Sequence, residues 1–446
     1  MLFYARRIQE LTLDFGVIDD YPDLDLDIVF SIFNRINRAA AFTSLRRLIV
    51  YDSGRKYKNQ LALFFLSTPN LEVLEVRGPF PGIPTADFLY AISTISHNLK
   101  SVAITYITSA KAVLDVLPCS HKLQILDLRN LDCHIPRSFL KDCASSMTSL
   151  QSLTIRSEYR DSRLTEDIGM PIMMPGVPSM ALSPITFNML SKLDLTGPHR
   201  DVENTLNILH VPQLATLSLD LRSRQGEILT DIHPITQRFL TLNEPYLKDG
   251  LRSLYLRSDI FTHWDMQHHL GLFQNFTKLD TLQVHIWNCF FSTLSLTNFL
   301  HENKLWSNLI VLHLVYISRP DPNRLADVLS IAALPLLADS FPNLLQLSIT
   351  IENPDQDAMK AIAVENFRKA HSLVTLDFDR LPRDWIYSIS TAVTFASFLH
   401  RLFPKLKLVK CFREEKWMMN VWEMLKKEQV AHLSHGSSVT STVTHV

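Results

Sequence analysis

Apolar residues return along the chain in one short phrase, apolar-x-x-apolar-x-apolar, most often L-x-x-L-x-L. It starts at Ile8, Leu45, Leu71, Leu99, Leu123, Leu150 and Leu190, then at Leu214, Leu251, Leu279, Leu309, Leu344, Leu373 and Leu406. The fourteen copies are irregularly spaced, by about 24–40 residues with a mean step of about 31, which is the range of solenoid repeats. Positions 4 and 6 of each copy alternate with polar neighbours, the period of two that marks a short strand with one buried face. Helical periodicity lies between copies, as over Asp87–Ile95 and Asn298–Leu305. One strand and one helix cannot bury their apolar faces alone, so successive units must stack. The expected fold is α/β: a leucine-rich-repeat solenoid or horseshoe, with strands on the concave face and the wider helices on the convex face.

Proline precedes several copies, at Pro69, Pro212, Pro342 and Pro404. It cannot continue a helix and biases its neighbour to extended backbone, so it punctuates the passage from helix to strand. Eight residues after the first leucine, where regular repeats place Asn or Cys, stand residues such as Pro79, Ile107, Leu131, Pro198 and Arg222. No asparagine ladder is expected to tie the loops together. The longest step, from Leu150 to Leu190, contains Met170-Pro-Ile-Met-Met-Pro-Gly-Val-Pro and reads as an excursion loop over 157–189. One repeat domain is expected over 1–430, closed by a capping helix over 414–429. Trp417, Met418, Val421, Trp422 and Leu425 share one face of that helix, with acids at its start and Lys426 and Lys427 at its end. Residues 431–446 read as a disordered tail. The first repeat has no such cap, which calls for a covering segment, a partner or a second copy.

Composition removes several function classes. Forty-four Lys and Arg against 45 Asp and Glu give a formal net charge of −1, so no global positive field draws nucleic acid or anionic lipid. Eleven glycines in 446 residues, the closest pair being Gly78 and Gly82, leave no GxGxxG and no P-loop to cradle phosphate. The five cysteines (Cys119, Cys133, Cys143, Cys289, Cys411) include no C-x-x-C and fit buried thiols in a reducing compartment. The first residues carry no long apolar core of a secretory signal. The most apolar run, Val328–Ala338, holds Pro335 and is far shorter than the roughly 20 residues a membrane span needs. The expectation is a soluble intracellular protein, cytoplasmic or nuclear, with no cofactor.

Candidate chemistry is sparse. His263, Asp265, His268 and His269 are the best metal-ligand group, yet Ile260, Trp264, His268, Leu272 and Phe276 fall at i+4 steps, which puts His268 on an apolar face. There is no G-x-S-x-G elbow, and Asp23, Asp25 and Asp27 have the spacing of a solvated turn. No catalytic or metal-binding residue is expected. Recognition is, because positions 5 and 7 of each copy point away from the core. They supply Glu75, Arg77, Asp127, Arg129, Arg156, Asp194, Asp220, Tyr255, Arg257, Gln283, His285, His313, Asp377 and Asp379. The row also contains Thr154, Thr196, Ser218, Val315, Ser348 and Thr350. Arginine with tyrosine is what recognition surfaces favour.

The opening FYARRIQELTLDF, the irregular ladder with its Pro-Asn-Leu turns, and the ending AVTFASFLHRLFPKLKLV followed by Trp417 and VWEML resemble the F-box/leucine-rich-repeat proteins of mushroom-forming basidiomycete fungi. The resemblance runs over essentially the whole chain. It implies substrate-presenting repeats behind a helical F-box that binds the Skp adaptor of a cullin-type ubiquitin ligase. The chain leaves no room for an F-box before Ile8, and Pro22–Phe33, which loosely resembles the start of one, reads as an ordinary repeat helix. No adaptor-binding residue carries over. The expected partners are a protein substrate on the concave face and the Skp adaptor through an F-box upstream of Met1, with a stand-alone repeat scaffold as the alternative.

Overall fold

Each copy of the phrase yields one strand, and each strand begins two residues after the copy's first apolar residue. A computed structural model describes residues 6–14, 42–51, 68–78, 85–107, 110–131, 135–157, 183–222, 233–258, 270, 273–287, 292–302, 306–317, 329–351, 359, 371–380, 389–411 and 415–436. The chain divides into two compact units, residues 1–222 with 235–247, and residues 223–234 with 248–446.

In unit 1 the ladder strands are β1 (Glu10–Asp14), β2 (Arg47–Tyr51), β3 (Val73–Arg77), β4 (Ser101–Ile107), β5 (Ile125–Leu131) and β6 (Ser152–Ser157). A short β7 (Ile185–Thr186) precedes β8 (Lys192–Pro198), and a short β9 (Leu209–His210) precedes β10 (Thr216–Arg222). Leaving out β7 and β9, neighbours in sequence are parallel neighbours in the sheet, with like positions opposed: Leu74 with Val102, Leu126 with Leu153, Leu193 with Leu217. Unit 2 repeats the arrangement with β11 (Ser253–Ser258), β12 (Thr281–Trp287), β13 (Val311–Ile317), β14 (Gln346–Thr350), β15 (Thr375–Arg380) and β16 (Leu408–Cys411). Helices fill the intervals where periodicity predicts them: Thr85–Ile95 contains the first expected segment, and Thr293–Glu302 starts five residues before the second and overlaps it over 298–302, residues 303–305 lying outside the described residues.

The apolar positions explain the stacking. Leu71, Leu123, Leu190, Leu279, Leu309 and Leu373 are all fully buried, as are Leu74, Leu126, Leu193 and Leu282 at position 4. Each such side chain contributes roughly 1.5–3 kcal/mol by leaving water, and registering the strands brings them all onto one side. Of the largest fully buried side chains, Phe239 lies in unit 1, while Phe273, Phe276, Phe378, Phe395, Phe398 and Phe403 give unit 2 an aromatic core. Phe395 sits 5.7 Å from Phe378 and 6.3 Å from Phe398, between ring centroids.

The prolines act through a turn. Leu71, Leu214, Leu344 and Leu406 each donate their N–H to the carbonyl three residues earlier, at 3.0–3.3 Å. Pro69, Pro212, Pro342 and Pro404 occupy the second place of these turns, which their fixed φ suits. The residue after the proline ties one repeat to the preceding one. Asn70 Nδ2 donates to Thr43 O at 2.6 Å, Asn343 Nδ2 to Ser307 O at 2.9 Å. Ser372 Oγ donates to Pro342 O at 2.8 Å from the matching place. A polar ladder thus ties successive repeats before the strands, a place that the expectation about asparagine after the strands does not address.

At the C-terminal ends of several strands of unit 1 the backbone takes positive φ. Gly78 (φ 113), Tyr106 (φ 66), Asn130 (φ 56) and Gly197 (φ 157) all stand seven residues after the first leucine of their copies. At Gly197 an added Cβ would lie 2.1 Å from Ser157 Oγ, so both the conformation and the space require glycine there.

Two boundaries differ from the expectation. Residues 158–182 of the excursion loop lie outside the described residues, but its end is ordered: Ile185 N donates to Ile208 O at 2.7 Å and Phe187 N to His210 O at 3.0 Å, pairing β7 with β9. Ile185 and Phe187 are buried, which is why this part of a long connection returns to regular structure. The fully buried Asn243 locks the pair: its Oδ1 accepts from Val211 N at 2.9 Å, and its Nδ2 donates to Leu209 O at 3.1 Å and Phe239 O at 3.0 Å. The second boundary is the C-terminal helix, which spans Glu415–Gly436 rather than ending at Gln429. Lys426 and Lys427 are thus interior to it, so the expected match with its C-terminal dipole is not made. Residues 431–436, expected in a disordered tail, form its last turns, and 437–446 lie outside the described residues. Met418, Val421 and Leu425 are buried, whereas Trp422 is half-buried under Lys426 Nζ, 4.9 Å from its ring centre.

Candidate functional site

The side chains at positions 5 and 7 share one face of each ladder, because residues two apart on a strand point the same way and the strands are in register. That face is less open than alternation implies. Thr154, Asp194 and Thr196 in unit 1, and Val315, Ser348 and Thr350 in unit 2, are buried. Thr154 lies between Asp127 and Asp194, Thr196 between Arg156 and Asp220, and Ser348 between His313 and Asp377, longer neighbours about 5 Å away that cover them.

In unit 1 the expected arginines are committed to acids of the same face. Arg77 Nη2 donates to Glu75 Oε2, and its Nη1 donates to Tyr51 Oη at 3.0 Å while the guanidinium lies 5.2 Å from the Tyr51 ring centre. Glu75 Oε1 accepts from Arg47 Nη2 at 2.7 Å, and Arg47 reaches Glu10 at 3.5 Å. Burial works to raise the Glu75 carboxyl, but the hydrogen bonds from Arg47 and Arg77 outweigh it and hold it below the usual carboxylate range. Arg129 forks onto Asp127, with Nε at 2.9 Å from Oδ1 and Nη2 at 2.6 Å from Oδ2, and this raises the guanidinium still further. Arg156 reaches across from β6 to Asp194 on β8 at 2.8 Å, and Arg222 donates to Asp220 at 3.2 Å. The sequence reading missed Arg47, Tyr51 and Glu10. Tyr51 is position 7 of the copy at Leu45, so the rule that found Arg77 would have found it too.

Unit 2 is built differently. Arg257 on β11 is opposite His285 on β12, and Gln283 lies between Tyr255 and His313 in the neighbouring register row. Continuing that row, His313 is opposite Ser348, and Ser348 opposite Asp377, which faces Lys410 on β16. Burial holds His285 below its ordinary value, and the nearby His313 and Arg257 add to this, while Asp379 opposes it. Burial likewise lowers His313, with Asp377 opposing. Asp377 itself is raised, by burial first and by Asp379, against the pull of Lys410 and His313. Lys410, position 5 of the last copy, was also legible by the alternation rule and was not singled out.

Other candidates are placed as follows. His263–His269 and Pro22–Phe33 lie outside the described residues. Among the described residues no three His, Cys, Asp or Glu side chains converge as metal ligands, and no helix is long and apolar enough to cross a membrane. Cys143 and Cys411 are buried, and burial pushes the Cys143 thiol far up.

No protein-family profile matches the chain, and no curated protein does. Among solved structures, the leucine-rich-repeat-containing protein LegL7 from Legionella pneumophila is 11% identical, with 94% of this chain and 97% of that one covered at a TM-score of 0.31. So low a TM-score adds no weight. The chain's own parallel ladders, each strand fed by one L-x-x-L-x-L copy and separated by helices, are those of a mixed α/β, leucine-rich-repeat-like protein.

Proposed function

We propose that this chain is a non-catalytic protein-recognition module that holds a partner on the outward rows of its strand ladders. One observation carries the reading: in both units a buried apolar side and a row of varied polar side chains alternate along strands in register. Each repeat thereby offers two side chains at a regular spacing, which suits a polypeptide surface better than a small reactant. The sequence resemblance supports the finer form of this proposal, a substrate-binding repeat region like that of F-box proteins in Skp/cullin-type ubiquitin ligases. No cofactor is required.

The test is purification of the full chain through a C-terminal tag, with cross-linking and mass spectrometry. Cross-links from one recurrent protein to the outward rows are expected. Reversing Arg129 and Arg156 alone would strand Asp127 and Asp194, so the better variant exchanges a pair, Asp127→Arg with Arg129→Asp. It keeps the ion pair, inverts its pattern, and should cut capture about tenfold or more with little change in melting temperature. Cross-links confined to the helices, or capture indifferent to the exchange and to equivalent changes in unit 2, would end the proposal. Co-purification of a Skp adaptor and a cullin supports the ubiquitin-ligase form; their absence beside a captured partner leaves a stand-alone scaffold.

A further inference from the structure

The residue after the first leucine of each copy stands just ahead of its strand, and its backbone begins the ladder. In unit 2 this row includes, in order, Asp280, Ile310, Leu345, Val374 and Lys407. Ile310 N donates to Asp280 O at 2.8 Å, Leu345 N to Ile310 O at 2.9 Å, Val374 N to Leu345 O at 2.9 Å and Lys407 N to Val374 O at 2.8 Å. The five residues are therefore successive neighbours, about 4.8 Å apart. Ile310 and Leu345 are each 40% exposed and Val374 is half-buried, so an apolar stripe meets solvent with an acid at one end and a base at the other. The fold does not require apolar residues there. In unit 1 the same backbone bonds join Arg46, Glu72, Lys100 and Gln124, and Lys100 Nζ donates to Glu72 Oε2 at 2.8 Å. A contiguous apolar stripe in a place that tolerates charge marks a surface to be covered.

We propose that this stripe docks a second copy of the chain, the two copies related by a two-fold axis through Leu345. The order acid, three apolar residues, base is its own complement when reversed. A two-fold turn sets Leu345 against its counterpart, Ile310 against the partner's Val374, and Asp280 against the partner's Lys407, each of the last two contacts occurring twice. The end charges are available for this. Asp280 touches Ser253 Oγ at 3.5 Å, and among the described residues neither Asp280 nor Lys407 forms an ion pair. Arg252, next in the row beyond Asp280, donates to Lys278 O at 3.4 Å. Three apolar side chains cover less than the about 800 Å² per partner of a standard interface, so the association is weak and concentration-dependent. The row lies before the strands and not at positions 5 and 7, so a second copy docked here makes no use of the outward rows.

Sedimentation velocity of the full chain between about 1 and 100 µM should show monomer passing to dimer as concentration rises. Leu345→Glu sets two carboxylates against each other on the axis and should raise the dissociation constant about tenfold or more. Leu345 is partly exposed, so the melting temperature should stay unchanged. Charge variants test the two-fold itself. Asp280→Lys alone and Lys407→Asp alone should each weaken self-association, because each sets like charges together. An equimolar mixture of these two variants should dimerise again, since both end contacts are then opposite in sign. A chain monomeric up to about 100 µM, dimers indifferent to Leu345→Glu, or a mixture no more associated than its components would overturn the proposal. So would cross-links from a different protein to Lys407 in a chain that stays monomeric, which would give the stripe to that partner.

Discussion

Gly197 shows how much one residue settles in a parallel ladder. Its φ of 157° and the 2.1 Å that would separate a Cβ from Ser157 Oγ are independent penalties, one of backbone and one of space. Gly197→Ala should therefore destabilise unit 1 by about 2–3 kcal/mol in urea unfolding. Combining it with Ser157→Ala removes the colliding oxygen and should recover about half of that loss, a non-additivity that a double-mutant cycle measures. Additive costs would mean that the backbone conformation alone matters. Asn243 illustrates the opposite case, a buried polar group whose amide is fully used. It satisfies Val211 N–H and Leu209 C=O at the start of the turn into β10, groups that would otherwise be buried unpaired. Neither position was visible in sequence: glycine scarcity says that few glycines exist, not which one faces a neighbour's side chain, and an asparagine inside a helix looks like a surface residue.

At the scale of elements, the last helix decides how unit 2 ends. A ladder's terminal strand has no following repeat to cover its apolar side. Val421 and Leu425 of Glu415–Gly436 are fully buried, and Gln429 Nε2 donates to Leu406 O at 2.8 Å and Pro404 O at 3.4 Å, reaching backbone carbonyls of the last turn. Ser397 Oγ donates to Glu428 Oε1 at 2.9 Å, joining this helix to Ile389–Leu402. Leu425→Ala should cost about 3 kcal/mol and expose β16, read as a lower urea midpoint with an unchanged slope. A cost below about 0.5 kcal/mol would mean that the helix does not cap the ladder. The apolar face was legible from Met418, Val421 and Leu425 at helical spacing; the end of the helix was not, because Ala431–Gly436 carries no repeated apolar signal.

Across each unit the buried ionisable groups set a sensitivity to acid, in different pH windows. Unit 1 holds paired arginines and carboxylates, including Glu75, whose lowered pKa adds stability above the ordinary carboxylate range that is lost as pH falls through its folded value. Unit 2 holds neutral histidines. His371 accepts Leu373 N–H on Nδ1 at 3.1 Å, which leaves Nε2–H to donate to Phe341 O at 2.8 Å, so protonation would set two donors face to face. Burial lowers His371, as it does His285 and His313, with the Phe341 carbonyl opposing. Below the ordinary histidine value of about 6.5 the unfolded chain binds protons that these folded rings do not, so stability falls on acidification through that window. Asp377, with its raised value, works in the opposite sense from the ordinary aspartate range upward and offsets part of this. The melting temperature should drop by about 2–4 °C between pH 7.5 and pH 5.5, and by less in the His285→Gln/His313→Gln variant. A flat profile would refute the burial of neutral histidine in unit 2.

What the amino-acid order determined by itself was the repeat: the period of two in each L-x-x-L-x-L copy, the helical intervals between copies, and the prolines at the turns. Those signals are local, each written within a few residues, and they sum over fourteen copies. Which polar side chains share a face was equally legible, since alternation alone places them. Tertiary structure decided the rest. Arg156 finds Asp194 on the next ladder strand, far along the chain; Asn343 finds the backbone of the preceding repeat; β7 returns to pair with β9. Whether a position on the outward row is open, covered or ion-paired depends on the length and charge of its neighbours on flanking strands. Those neighbours are a whole repeat away in sequence, and only stacking brings them within about 5 Å.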